Sequence, residues 1–276
     1  MRPQVARDGV VAMIYAVMSD AHANPKALEF ALADARRRGC ERFVLLGDIT
    51  GYGYNVKDTI RLVRENFDVV LMGNHDSACL GLEPRFEVQT NRNYRVDLMH
   101  REQLSGEEKD WLRARPYDCA EGDALFVHGD STDPRAWNYI LTSEMVAVNL
   151  LACPRPILFC GHSHHAAVWE MLKGPAFSTR NLDVRCGPRL LRSLSKPAKD
   201  KVDEHTIKLN ERGRYIVNVG SVGYPRNDLC CTYAIYDTSA RKVSIRRFPI
   251  RLRSYAEDLE SAGIELPLWL VDELSR

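Results

Sequence analysis

The chain reads as an α/β protein built on a parallel sheet with both faces covered. Three observations predict this. Five short apolar runs, Met13–Met18, Phe43–Leu46, Val69–Met72, Ala124–Val127 and Pro156–Cys160, have the length and composition of buried strands. Helix-length segments separate the first three, which is the spacing of parallel crossovers. Every run ends on a polar cluster of Asp, Asn, His and Gly, and ligands of such sheets collect beyond the carboxyl ends of the strands.

The elements follow in order. Ser19-Asp20-Ala21-His22 closes the first strand. Pro25 suits the first turn of a helix over 25–38, with Ala27, Leu28, Ala31, Leu32 and Ala35 as its apolar stripe and Gly39 as its stop. Gly47-Asp48 ends the second strand, and Gly51-Tyr52-Gly53-Tyr54 forms a loop. Val56, Ile60 and Val63 mark one face of the next helix. Gly73-Asn74-His75-Asp76 is read as the loop that ends the third strand. Residues 82–104 are mixed and charged and predict no element. Ser105 with Glu108 three residues on predicts a capped helix over 105–113. His128-Gly129-Asp130 ends the fourth strand, a helix runs over about 143–151, and Gly161-His162-Ser163-His164 ends the fifth. Strands are expected at 168–172, 215–219, 231–236 and 242–247, the last two as a hairpin beside the second half of the sheet. Two short helices close the chain.

Composition narrows the class. With 276 residues, 45% of them hydrophobic, the chain can bury one large core. A net charge of +1, from 38 basic and 37 acidic residues, gives no general argument for nucleic acid or membrane surfaces. The exception is local. Residues 173–214 hold eleven Lys or Arg against five Asp or Glu, which reads as a solvated basic insertion or as an electropositive flap over an anionic substrate. The eight cysteines show no Cys-x-x-Cys spacing and are read as reduced and structural. Gly9–Met18 mimics the first half of a signal peptide, but cleavage there would remove or abut Asp20 and His22. No stretch reaches the roughly 20 apolar residues of a membrane span. A cytoplasmic enzyme with no membrane partner is expected.

The strand ends share one chemistry. In an extended segment, residues i and i+2 point the same way, so Asp20-x-His22 and His162-x-His164 can each aim two ligands at one point. Imidazoles, carboxylates and one amide oxygen, without thiolate, suit Mn, Fe, Zn, Co or Ni. Seven such groups exceed what one ion takes and suit two ions that share a carboxylate. A single histidine in a protein is more often structural than ligating. Here five of the eight stand at the ends of apolar strands, whereas His100 and His205 lie in charged stretches and read as solvated.

Taken together, the blocks Asp20-x-His22, Gly47-Asp48, Gly73-Asn74-His75-Asp76, His128-Gly129 and Gly161-His162-Ser163-His164 resemble those of the calcineurin-like metallophosphoesterases, over nearly the whole chain. The resemblance implies one domain with the basic stretch inserted. It implies a four-layer α/β/β/α sandwich of two mixed sheets flanked by helices, with two metal ions at the strand ends. Asp20, His22 and His164 would hold one ion. Asn74, His128 and His162 would hold the other, and Asp48 would bridge them. His75 would face the substrate off the metals, with Asp76 orienting its ring. The reaction implied is attack of metal-activated water on phosphorus, with His75 assisting the leaving oxygen.

Departures from the family refine the substrate. Protein serine/threonine phosphatases of this superfamily carry arginines beside the second and third blocks. Here Asp48 is followed by Ile49-Thr50-Gly51-Tyr52-Gly53-Tyr54, and no arginine follows His75 until Arg85. The Gly-Tyr-Gly is similar to that of a bacterial and archaeal branch of small phosphoesterases. A small, nucleotide-like phosphodiester or phosphomonoester is therefore expected as substrate. A nuclease using the basic stretch, a protein phosphatase and a non-catalytic scaffold are the alternatives. After Asn218-Val219-Gly220-Ser221-Val222-Gly223, Arg226 is the first candidate for a phosphate contact. Tyr52 and Tyr54 are candidates to flank a base or aryl group.

Overall fold

The computed structural model describes residues 12–82, 92–172, 178–181, 202–226 and 229–275. It contains two six-stranded mixed sheets. The first is built from β1 (Ile14–Met18), β2 (Arg42–Leu45), β3 (Val69–Val70), β9 (Asp203–Lys208), β11 (Cys230–Asp237) and β12 (Lys242–Pro249), in the order β3-β2-β1-β11-β12-β9. The second takes β4 (Asp118–Glu121), β5 (Ala124–Val127), β6 (Ile157–Cys160), β7 (Ala167–Leu172), β8 (Ser178–Asn181) and β10 (Gly213–Asn218), in the order β4-β5-β6-β10-β7-β8.

The parallel part of the expectation holds locally, for β1, β2 and β3 and for β5, β6 and β10. The single parallel sheet does not, because antiparallel strands extend both groups. The β11–β12 hairpin pairs with β1, Ala16 opposite Ile235, so it completes the first sheet and not the second.

Burial explains the four layers. Along β1, Tyr15 and Val17 point into the core between the sheets, with Phe126, Phe159 and Tyr215 opposite. Ala16 and Met18 point outward, onto Leu28, Leu32 and Ile60. These belong to α1 (Pro25–Arg37) and α2 (Val56–Asn66). On β6, Ile157 and Phe159 face the other sheet, while Leu158 and Cys160 pack against Val146 and Leu150 of α6 (Ser143–Ala152). Each central strand is thus apolar on both faces with a period of two, which is why these strands read as unbroken apolar runs. The family's sandwich of two mixed sheets between helices is the fold observed.

Three further differences lie near the strand ends. The Gly73–Asp76 block is not a loop: Asn74–Leu80 is helix α3, with Gly73 as its N-cap. The charged stretch before residue 104 contains helix α4 (Arg92–Gln103), followed by α5 (Gly106–Arg113), whose Ser105–Glu108 capping box is formed as the spacing predicts. Helices α7 (Leu252–Ser261) and α8 (Leu268–Leu274) close the chain. Of the basic stretch at 173–214, residues 173–177 and 182–201 lie outside the described residues. The described parts include β8 and β9, edge strands of opposite sheets, rather than one solvated insertion. Cys40, Cys79, Cys119, Cys153 and Cys160 carry free thiols, and Cys186 lies outside the described residues. No described helix is long and apolar enough to cross a membrane.

Candidate metal centre

Strand ends of both sheets and the start of α3 converge on one buried cluster. Asp20, His22 and His164 form one triad and Asp48, His128 and His162 another, the ligand atoms of each lying within 4.8 Å of one another. The side chain of Asn74 joins the second group, its Oδ1 standing 3.1 Å from His128 Nε2. All seven residues that the resemblance implies as ligands are therefore brought together. Asp48 Oδ2 lies 3.3 Å from His128 Nε2 and 3.7 Å from His22 Nε2, between the triads.

The route of convergence differs from the expected one. Asp-x-His and His-x-His are not extended. Asp20, His22, Asp48, His162 and His164 all have positive φ, between 43° and 64°. Non-glycine residues rarely occupy that region, and such strain collects at functional sites. Backbone hydrogen bonds impose it: Asp20 N–H donates to Gly47 O at 3.0 Å and His22 N–H to Asp48 O at 2.9 Å. Gly73 has no freedom to carry a side chain, because a Cβ there would collide with the backbone and carboxylate of Asp48.

The lone pairs show what the cluster is built for. His22 Nδ1 lies 2.8 Å from Thr50 O and His164 Nδ1 lies 2.6 Å from Tyr224 O. Carbonyls only accept, so each Nδ1 carries the hydrogen and each neutral ring presents a bare Nε2. Those two Nε2 atoms face each other at 3.1 Å. Two lone pairs repel at that distance unless a cation lies against both. The carboxylates are arranged likewise. Asp20 Oδ2 accepts from His162 N–H and Asp48 Oδ1 from His75 N–H. Asp20 Oδ1 and Asp48 Oδ2 are buried and lack a hydrogen-bond partner. Burial of such an oxygen without a partner is costly. The donor set therefore fits divalent transition metals, with backbone carbonyls fixing the tautomer of two ligand rings.

The charges respond accordingly. Burial works against ionisation of Asp20, but His164 and His22 hold it well below the usual carboxylate range. Asp48 is lowered in the same way by His128 and His75. Burial pushes His22 down to about 4 and His162 to about 3, the neutral state that metal coordination needs.

Comparison with known proteins decides the family. The calcineurin-like phosphoesterase superfamily domain matches residues 13–178. The chain belongs to the calcineurin-like phosphoesterases. Over 96% of its length it is similar, at 31% identity and a TM-score of 0.71, to a metallophosphoesterase from Sphaerobacter thermophilus, 98% of which is covered. It is also 27% identical over 270 residues to an uncharacterized protein of Methanocaldococcus jannaschii, covering 96% of this chain and 98% of that one. This phosphoesterase is thus a metal-dependent phosphoester hydrolase.

Both triads open onto a cavity of about 200 Å³, lined by Asp48, His162 and His164 of the triads and also by His75, Tyr139 and Arg226. His75 is buried, and its Nδ1 contacts both carboxylate oxygens of Asp97 at 3.1 Å. Asp76 is not its partner. The Asp76 carboxylate accepts from the N–H groups of Ile49, Thr50 and Gly73 at 2.9, 3.0 and 3.1 Å, and so ties α3 to the second strand's end. At the third position of a helix a carboxylate reaches back to the N-cap amide, leaving the ring one residue earlier to another partner. Burial opposes charge on His75, but Asp97 and Asp48 lift it to about 9. Burial and the charge of Asp48 raise Asp76 to about 6.

His100 is another correction. It is fully buried rather than solvated. Its Nδ1 accepts from Gly51 N–H and its Nε2 donates to Gly53 O, both at 3.1 Å. It thereby clamps the turn that carries Tyr52. His205, on edge strand β9, is half-buried rather than solvated. The Tyr52 ring lies edge-on to His22 at 4.6 Å and stacks on Tyr224 at 4.3 Å. Arg226 donates to the Tyr52 hydroxyl at 3.2 Å. Tyr54 packs against Tyr255 instead, outside the cavity lining. Sequence reasoning missed Asp97, His100, Tyr94 and Tyr139. Asp97 and His100 carried one faint signal, a spacing of three residues that puts both on one helical face.

Proposed function

We propose that the phosphoesterase is binuclear and hydrolyses a small, nucleotide-like phosphodiester or phosphomonoester. Asp20, His22 and His164 hold one ion, Asn74, His128 and His162 hold the second, and Asp48 bridges them. The observation that carries this reading is the pair of opposed Nε2 lone pairs on His22 and His164, with Asp48 Oδ2 unpartnered between the two triads. When bound, such ions supply Lewis acidity at phosphoryl oxygens and an activated water for attack on phosphorus.

The chain's own residues do the rest. Asp97 fixes His75 with hydrogen on Nδ1, which leaves Nε2 for the cavity. His75 donates a proton to the departing oxygen, a role typically worth about 10²–10⁴-fold. Arg226, at the cavity wall, binds a non-bridging phosphate oxygen. Wild-type protein loaded with Mn²⁺ is expected to bind two ions per chain and to hydrolyse bis(p-nitrophenyl) phosphate. Asp48→Asn is expected to lose most activity and at least one ion. One ion or none in the wild type, measured by elemental analysis, would overturn the binuclear assignment.

A further inference from the structure

Tyr139 stands where the metal centre meets solvent. Its ring lies flat on the ring of His162, with centroids 4.1 Å apart and planes at 12°. One face is thus used, yet the residue remains 40% exposed. The guanidinium of Arg226 donates to the Tyr52 hydroxyl and lines the same cavity as Tyr139. Among the described residues no salt bridge joins Arg226 to a carboxylate, and a guanidinium with five N–H groups has more donors than one hydroxyl takes. The cavity of about 200 Å³ is smaller than the roughly 300–1,000 Å³ of pockets that enclose a drug-sized ligand. It can take a phosphate and the atoms next to it, so a larger substituent must lie on the rim.

Resting on the proposed hydrolysis of small phosphoesters, we infer that Tyr139 and Arg226 form a subsite for the non-leaving arm of a phosphodiester, and that this arm is an aryl ring or nucleobase. The two walls of the cavity separate the arms. His75 packs on the Tyr52 and His22 side, with centroids at 4.6 and 5.1 Å, and receives the departing oxygen. Tyr139 packs on His162, in the other triad. A flat ring extends the Tyr139–His162 stack by one layer while Arg226 holds a phosphate oxygen beneath it. A stack of this kind tolerates any base, because every base offers a π-face.

Two diesters with the same leaving group test this: bis(p-nitrophenyl) phosphate and methyl p-nitrophenyl phosphate. Comparing the ratio of their kcat/KM values between enzymes cancels both intrinsic reactivity and any loss common to the two substrates. Tyr139→Leu is expected to lower the aryl-to-methyl ratio by about fivefold or more, the scale of one aromatic stack, and Tyr139→Trp to keep it. A Tyr139 that merely props His162 would depress both substrates alike, and an unchanged ratio in Tyr139→Leu overturns the subsite. A second measurement needs neither variant nor turnover. Calorimetry on the metal-loaded wild type is expected to show phenylphosphonate binding at least about fivefold tighter than methylphosphonate, and equal affinities overturn the subsite. If neither diester is hydrolysed, the catalytic reading falls, and the phosphonate pair still decides the subsite.

Discussion

His100 allows a pH-dependent test of how α4 supports the site. Both ring nitrogens are spent on the backbone of the Tyr52 turn, and only the neutral ring can accept from Gly51 N–H. Burial pushes the imidazole down from 6.5 to about 4. The sign follows from linkage. Below pH 6.5 the unfolded chain takes up a proton that the folded chain refuses, so stability is full above 6.5 and is lost as pH falls toward 4. Each pH unit in that window is worth about 1.4 kcal/mol, so the residue accounts for roughly 3 kcal/mol across it and roughly 2 kcal/mol between pH 6.5 and 5. Urea unfolding of the metal-free protein, followed by circular dichroism from pH 7.5 to 5, measures the slope. His100→Gln keeps an acceptor and a donor but cannot titrate. It is expected to be less stable than wild type at pH 7.5, and the two curves should converge as pH falls. Parallel curves would refute the reasoning.

The neighbours of His75 separate two kinds of carboxylate. His75→Ala should reduce kcat by about 10²–10⁴-fold with metal content kept. Asp97→Asn should lower kcat by a smaller factor without loss of fold or metal, whereas Asp76→Asn should destabilise by about 1–3 kcal/mol, because it strands backbone donors. Equal effects of the two Asn variants on kcat and on unfolding would contradict the assignment. Away from the site, buried Arg246 holds Asp34 through Nε at 2.9 Å and Nη2 at 2.8 Å, with the Tyr233 hydroxyl at 2.7 Å. Burial opposes charge on Asp34, but the bonds from Tyr233 and Arg246 keep its carboxyl below the ordinary value. Its contribution is therefore present above about pH 4 and lost in more acid solution. Asp34→Ala strands Nε and Nη2 of the guanidinium, whose Nη1 keeps Glu204 Oε2 at 2.9 Å, and should cost about 1–3 kcal/mol at neutral pH in urea unfolding.

The clustered Asp, Asn and His side chains and the central strands were legible because both depend on local pattern. Apolar runs of four to six residues must be buried, and the polar residues that end them must stand at the sheet's edge. Ligand types alone then indicated borderline metals. The reading failed where a side chain's partner arrives from a remote segment. Asp76 adjoins His75 in sequence, yet the start of a helix turns its carboxylate onto backbone amides. The carboxylate that meets the ring comes from α4, out of a charged stretch with no readable period. His100 looked solvated for the same reason. The hairpin's place was misjudged because an antiparallel strand pairs with either sheet on equal local grounds.

Sequence by itself determined the composition of this centre: two carboxylates, four imidazoles and an amide at strand ends, with the His75 imidazole beside them. Tertiary structure decided how they meet. Left-handed backbone at five of the candidate ligands, held by hydrogen bonds between strand ends, aims lone pairs that an extended chain would not bring together. The packing of α4 and Tyr139 then selects the partners of His75 and His162. No local residue pattern encodes that choice, since it depends on contacts among segments far apart in the chain.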